Sequence, residues 1–131
     1  MSQENVEIVR SMVEAFFSDG PDRAWRYFDP DAEYTSTFIE GKTYAGLDGM
    51  LEYAANLDEV WVDWHPEDSR FVAVGEDRVV WLYRIVGYGK GSGVPVDQAV
   101  AIVWTLRDRL IWRGQGYIDH SEALKAVGLE G

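Results

Sequence analysis

RVVWLYRIVGYGKGSGVPVDQAVAIVWTLRDRLIWRGQGYI, residues 78–118, decides the fold. Three runs rich in β-branched and aromatic residues are separated by two turn-like stretches, GYGKGSG at 87–93 and RDRL at 107–110. Runs of that composition joined by short turns read as antiparallel strands in hairpins. The glycine-rich stretch does not read as a phosphate loop. That motif needs a helix after it, so that backbone N–H groups and the helix dipole meet the anion. Here a β-branched strand follows, and Lys90 stands in the wrong place relative to Gly93. Just upstream, EVWVDW (59–64) and RFVAVG (70–75) flank Pro66, which predicts one long strand with a bend or bulge.

Before these strands the period changes. Val6, Val9, Met12, Val13, Phe16 and Phe17 recur at helical spacing, and Gly20 can end that helix. Pro21 suits the first turn of a short second helix, PDRAWRYF, with Trp25 and Phe28 facing inward. Asp29 and Pro30 break it, and AEYTSTF (32–38) reads as a first strand. EGKTYAG (40–46) reads as a loop without chemistry, and Leu47, Met50, Leu51, Ala54 and Leu57 mark a third helix. At the far end Asp119 and Glu122 match a capping box for a short helix with Gly128 as its C′ residue. Helices that precede a meander imply an α+β fold, helices packed on one face of an antiparallel sheet. At 131 residues, one domain spanning 1–131 is expected.

The third and fourth strands read as apolar on both faces; in the third, Val79, Trp81, Tyr83 and Ile85 alternate with Val80, Leu82 and Val86. A sheet covered by helices on one side only should not need that. The outer face is therefore expected to meet a second copy of the chain in a two-fold homodimer.

A formal charge of −11 argues against nucleic acid and against an anionic membrane surface as partners. The absence of cysteine excludes disulfides, thiolate catalysis and Cys-type zinc sites. Two histidines without a third ligand at helpful spacing make no metal site, and no cofactor is expected. MSQENVEIVR has no apolar signal core and no run reaches membrane-spanning length, so a cytoplasmic protein is expected.

Asp63 and His65 share a strand face and could form an acid–base pair. The plainer reading makes His65 a surface residue, Asp119 a helix cap and His120 part of that helix's first turn.

ENVEIVRSMVEAFFSDG, AWRYFDPDAEY, GKTYAGLDGMLEY, GKGSGVPVDQ, VWTLRDRLI and YIDHSEALKAVGL, taken together and in order, resemble the SnoaL-like family of the nuclear-transport-factor-2-like superfamily. The resemblance covers nearly the whole chain. It implies a cone, a curved antiparallel sheet wrapped round N-terminal helices with a pocket inside, often dimerised through the sheet. It does not choose a function, since the superfamily holds steroid isomerases, polyketide cyclases, epoxide hydrolases and binders.

The positions implied by the family must decide. The isomerase base falls at Ser36, its tyrosine donor at Met12, its buried acid at Ile102 and its supporting tyrosine near Ala54. Three of these are apolar and serine is a poor base, so that chemistry is disfavoured. The last-strand acid of the hydrolases falls at Gly116 and its partners near Tyr83 and Ile85. Ile102 also stands where many relatives carry histidine. By the same alignment Ile102, Trp104, Trp112, Gly114, Gly116 and Ile118 point inward.

Gly114 and Gly116 leave two side chains missing from one face of the last strand. One reading makes them the floor of an open pocket walled by Met12, Phe16, Trp25, Trp104 and Ile118, with Ser36 and Tyr83 as polar handles. Another has Trp104 and Trp112 lie over the glycines and fill the gap, and a third makes the pair a bulge. Three functions stand open. The first is a binder of a small apolar ligand, cyclic ligands included. The second is a polyketide-cyclase-like or isomerase-like enzyme with Asp63, His65 or Asp97 as acid–base group. The third is a structural dimer with a closed core.

Overall fold

The computed structural model describes residues 2–36 and 42–129. The apolar stripe expected at the N-terminus forms α1 (Ser2–Asp19), and Gly20, with φ +104°, ends it. Pro21 opens α2 (Pro21–Ala24), which passes through a 3₁₀ turn into β1 (Phe28–Thr35). The Asp29–Pro30 pair therefore lies inside a strand rather than ending a helix. Thr37 and Phe38, expected to finish that strand, lie outside the described residues, as do Glu40 and Gly41 of the expected loop. The rest of the loop contributes a short strand, β2 (Thr43–Ala45), that the sequence reading does not contain. α3 (Gly46–Val60) follows.

The meander then runs as expected: β3 (Trp61–Val74), β4 (Arg78–Gly89), β5 (Pro95–Arg107) and β6 (Leu110–Tyr117). The GKGSG turn holds Gly91 and Gly93 at φ +84° and +68°, which explains its glycines. In RDRL, Asp108 and Arg109 both take positive φ, the geometry of a tight hairpin. β3 is irregular on both sides of Pro66. Its register against β4 shifts between Val62 and His65 and again between Glu67 and Arg70, with Asp63 and Asp68 at positive φ. These two bulges bend the longest strand.

The sheet order is β2-β1-β6-β5-β4-β3. β1 pairs with β6 in parallel, which joins the first strand to the last. The main core lies between the inner face of the sheet and α1, with Val9, Val79 and Ile111 fully buried.

α4 (His120–Ala126) is capped by Asp119, whose carboxylate accepts from Ser121 N–H at 2.7 Å, while the reciprocal box expected with Glu122 is not formed among the described residues. Gly128, at φ +83°, donates to Lys125 O, and Leu129 donates to Leu124 O, which closes the C-terminus. This helix lies on the outer face of the sheet. Ala123 and Val127 bury Val80, Leu82, Ala101 and Val103 in a second core, and the His120 ring reaches the carbonyls of Tyr83 and Val100 at 3.0 and 2.9 Å. The two-sided apolarity of β4 thus has a partner within the chain, where the sequence reading invoked a second subunit. Further along the same face Arg84 pairs with Asp97 at 2.9 Å and also with Asp68, so that part of the surface is ionic. Among the described residues no helix is long and apolar enough to cross a membrane.

Candidate functional site

A cavity of about 80 Å³ opens between α1, α3 and the inner face of the sheet. Met12 and Phe16 enter it from α1, Trp25 from the turn after α2, Tyr83 from β4, and Ile102 and Trp104 from β5. They converge because α1 lays one helical stripe across alternate residues of two paired strands. Val79 opposes Trp104 and Trp81 opposes Ile102 in the β4–β5 register. The remaining wall is largely aromatic, with Phe17, Phe28 and Trp64 prominent. Ala32, Glu33 and Gly46 line both the cavity and an open groove over β1 and β6.

Other expected positions fall elsewhere. Ile118 is 60% exposed and is no part of the wall, because it stands past the end of β6. Ala54 is buried but does not line the cavity; one residue earlier on the helix, Tyr53 does. Ser36 is buried behind the wall, where it hydrogen-bonds Tyr34. Trp112 points outward. The β5–β6 register shifts between Thr105 and Leu106, so Ile111 rather than Trp112 takes the inward place. Trp112 instead lies between the guanidiniums of Arg107 and Arg113, at 4.4 and 4.1 Å from its ring centroid.

The two glycines occupy the inner face opposite Trp104 and Ile102. Over Gly114 the gap is filled. A Cβ there would meet Cε3 of Trp104 at 2.7 Å, its Cζ3 closer still, and Cδ1 of Tyr34 at 3.0 Å. The missing side chain lets the indole lean onto β6. Gly116 is buried on the same face. Both glycines stand behind the lining rather than in it, and the cavity persists on the other side of Trp104.

The acid–base candidates do not reach the cavity. His65 is on the surface, its ring against Asp63 O at 2.9 Å and Glu67 Oε2 at 3.1 Å, contacts that raise its pKa. Asp97 is held low by its ion pair with Arg84 on the outer face. Glu33 is the one carboxylate among the described lining residues. Its side chain is exposed, 4.0 Å from Arg113 Nε on the side of the sheet where Trp112 lies. No cluster of three or more His, Asp or Glu suited to a metal is found among the described residues.

What the sequence reading missed is a group of tyrosines. Tyr34 from β1, Tyr44 from β2, Tyr53 from α3 and Tyr83 from β4 all line the cavity. The Tyr53 ring stands edge-on to Tyr34 at 5.0 Å and to Tyr44 at 5.3 Å. Asn56 Nδ2 donates to the Tyr44 hydroxyl at 2.9 Å. Burial pushes the Tyr34 phenol up to about 12, and the hydroxyls of Tyr53 and Ser36 partly offset this. Burial also raises Tyr53 and Tyr83 well above the usual phenol range. These phenols are therefore neutral at physiological pH and act as hydrogen-bond donors, not bases. Only their spacing in the fold gathers them.

The cone of curved sheet and helices with an interior cavity is the nuclear-transport-factor-2-like fold. A polyketide-cyclase-like protein of provisional name from Xanthomonas campestris pv. campestris superposes with a TM-score of 0.79 at 18% identity, over 97% of this chain and 98% of that one. A ketosteroid-isomerase-like-fold protein from Catenulispora acidiphila DSM 44928, solved in complex with trimethylamine, superposes at 0.74 with 24% identity, over 94% and 93%. A protein named TerC, co-crystallised with polyporic acid, superposes at 0.75 with 21% identity, over 95% and 97%. The chain belongs to the SnoaL-like domain family, whose sequence model matches residues 9–114. No curated protein matches the sequence.

Proposed function

We propose that the protein binds a small, mostly apolar ring compound bearing a carbonyl or hydroxyl oxygen, seated in the interior cavity. The observation that carries this reading is the meeting of neutral buried phenols with an otherwise apolar aromatic wall. An apolar concavity with a few fixed polar groups is the general form of a small-molecule site. The Tyr34 oxygen is flanked by the Tyr53 and Ser36 hydroxyls, which leaves its own O–H to donate to a ligand oxygen. At about 80 Å³ the cavity is smaller than the ~150 Å³ apolar cavity that takes up benzene. A single small ring is therefore the most that it takes without the wall giving way. The ligand-bound TerC structure is consistent with a ring compound in this fold.

The test is thermal shift with paired ring compounds of one shape, with and without the carbonyl. A native-state ligand stabilises by about 2.7 kcal/mol at a hundred times its Kd. The ketone should raise Tm saturably and more than the hydrocarbon, and Tyr34→Phe should abolish the difference. No shift from any ring compound would refute the reading.

A further inference from the structure

Four tryptophans line the cavity, and three of them are fixed by what surrounds them. Trp81 and Trp104 stand on β4 and β5, inside the sheet, and are buried. Trp25 lies stacked on the buried Phe28, the ring centroids 5.5 Å apart and the planes at 9°. Trp64 differs. It stands on β3, the edge strand of the sheet, and it is half-buried. The rings beside it, Phe16 at 6.1 Å and Phe17 at 5.3 Å, are half-buried too. Trp64 therefore touches both the cavity and solvent.

Its backbone is placed by the first bulge of β3. Val62 pairs with Tyr88 and His65 with Val86, so Asp63 and Trp64 together oppose Gly87. A Cβ on Gly87 would stand 2.9 Å from Trp64 Cα and 3.0 Å from Val62 O, so the strand lies there because that residue is glycine. The indole has one donor, and Nε1–H gives it to Asp58 Oδ1 at 2.6 Å, near the C-terminus of α3. Asp58 is itself tied to the glycine-rich turn. Lys90 Nζ donates to Asp58 O at 3.3 Å, and Lys90 N–H donates to Val60 O at 2.9 Å. The acceptor is anchored. Turning the indole outward costs that hydrogen bond and the ring contacts with Phe16 and Phe17, whereas moving Trp81 or Trp104 would break the main core.

We infer that Trp64 sets the upper size of the ligand and that Asp58 is the positioning residue that holds it in place. A ligand larger than one small ring enters only when the Trp64–Asp58 hydrogen bond opens. This deepens the binding reading and rests on it. At about 80 Å³ the closed cavity takes one small ring, so a second fused ring must displace part of the wall. Trp64 is the part whose displacement disturbs least. The site thus selects monocyclic ketones over fused two-ring ketones.

The experiment compares cyclohexanone with its fused two-ring counterpart, 1-decalone. Their affinities are taken from the concentration dependence of Tm in the parent, Asp58→Ala, Asp58→Asn and Trp64→Phe. In Asp58→Ala the ratio of decalone to cyclohexanone affinity should rise at least about tenfold, since the larger ligand no longer has to open a hydrogen bond to a carboxylate. The ratio cancels any change in the stability of the free protein. Asp58→Asn keeps an oxygen acceptor and should stay near the parent ratio. Trp64→Phe has no indole N–H and should raise the ratio by itself, with no further rise when Asp58→Ala is added. If a ketone binds but the ratio is the same in the parent, Asp58→Ala and Trp64→Phe, this inference is overturned while the binding reading stands. Equal ratios in Asp58→Ala and Asp58→Asn would overturn the role of the hydrogen bond. If neither ketone raises Tm in any of these proteins, the binding reading falls and takes the inference with it.

Discussion

Replacing Gly114 with alanine tests the account of the glycine gap. The new Cβ would stand 2.7 Å from Cε3 of Trp104, so the indole must move, and Tyr34 at 3.0 Å blocks one way out. Overpacking of this kind costs about 1–3 kcal/mol. Alanine also returns about 0.5–1 kcal/mol, because glycine loses more chain entropy on folding. Gly114 lies in the extended backbone of β6 and has no positive φ, so no strain is added. The difference spans about 0–2.5 kcal/mol, and the close approach to an indole hemmed in by Tyr34 puts the net cost at about 1–2 kcal/mol. For 131 residues the unfolding entropy is about 0.28 kcal/mol/K, which makes the fall in Tm about 4–7 °C. The assay is a double-mutant cycle by thermal or urea unfolding. In Trp104→Phe the smaller ring no longer reaches the glycine, and Gly114→Ala should become neutral or stabilising there. The coupling should be about 1 kcal/mol or more. Equal cost in both backgrounds, or a rise in Tm in the parent, would refute the contact.

Two further outcomes follow from the tyrosine end. The folded pKa of Tyr34 is raised to about 12, so its contribution is whole below the unfolded value of about 10 and is lost as pH climbs toward 12. That is a loss of about 3 kcal/mol, with Tyr53 and Tyr83 acting in the same direction. The urea midpoint followed through this range should fall less steeply in Tyr34→Phe; an unchanged slope would contradict the burial. Gly49→Ala should destabilise although it lies in α3, where alanine ordinarily gains about 1 kcal/mol. Its Cβ would stand 2.7 Å from the backbone carbonyl carbon of Tyr44, which cannot rotate away. A raised Tm would show that β2 yields more easily than this packing implies.

The α+β order, the four-strand meander and both caps of α4 were legible because they depend on local period and turn chemistry. The site was legible only in part. Alternation along a strand carries no mark of a bulge, and one register shift at Thr105–Leu106 turned Trp112 from the inside to the outside. A helix advances about a quarter-turn per residue, so a placement near Ala54 missed the phenol at Tyr53. Tyr44 was hidden because β2 is too short to have a pattern, and it exists by pairing with β1. The place of α4 could not be read from its own residues. An apolar stripe on a short helix says that something is covered, not which face of the sheet it is.

The parallel contact of β1 with β6 has a consequence for how the chain is made. Tyr34 finds its neighbour Gly114 eighty positions later. Loop closure on that scale comes late and slows folding. During synthesis β1 emerges long before the residues that cover it, since Phe28 packs on Trp104 of β5 and pairs with Ile111 of β6. The nascent half of the cone is thus the aggregation-prone species of this protein, and chain termination ahead of Leu110 would leave it permanently open to the wrong partners.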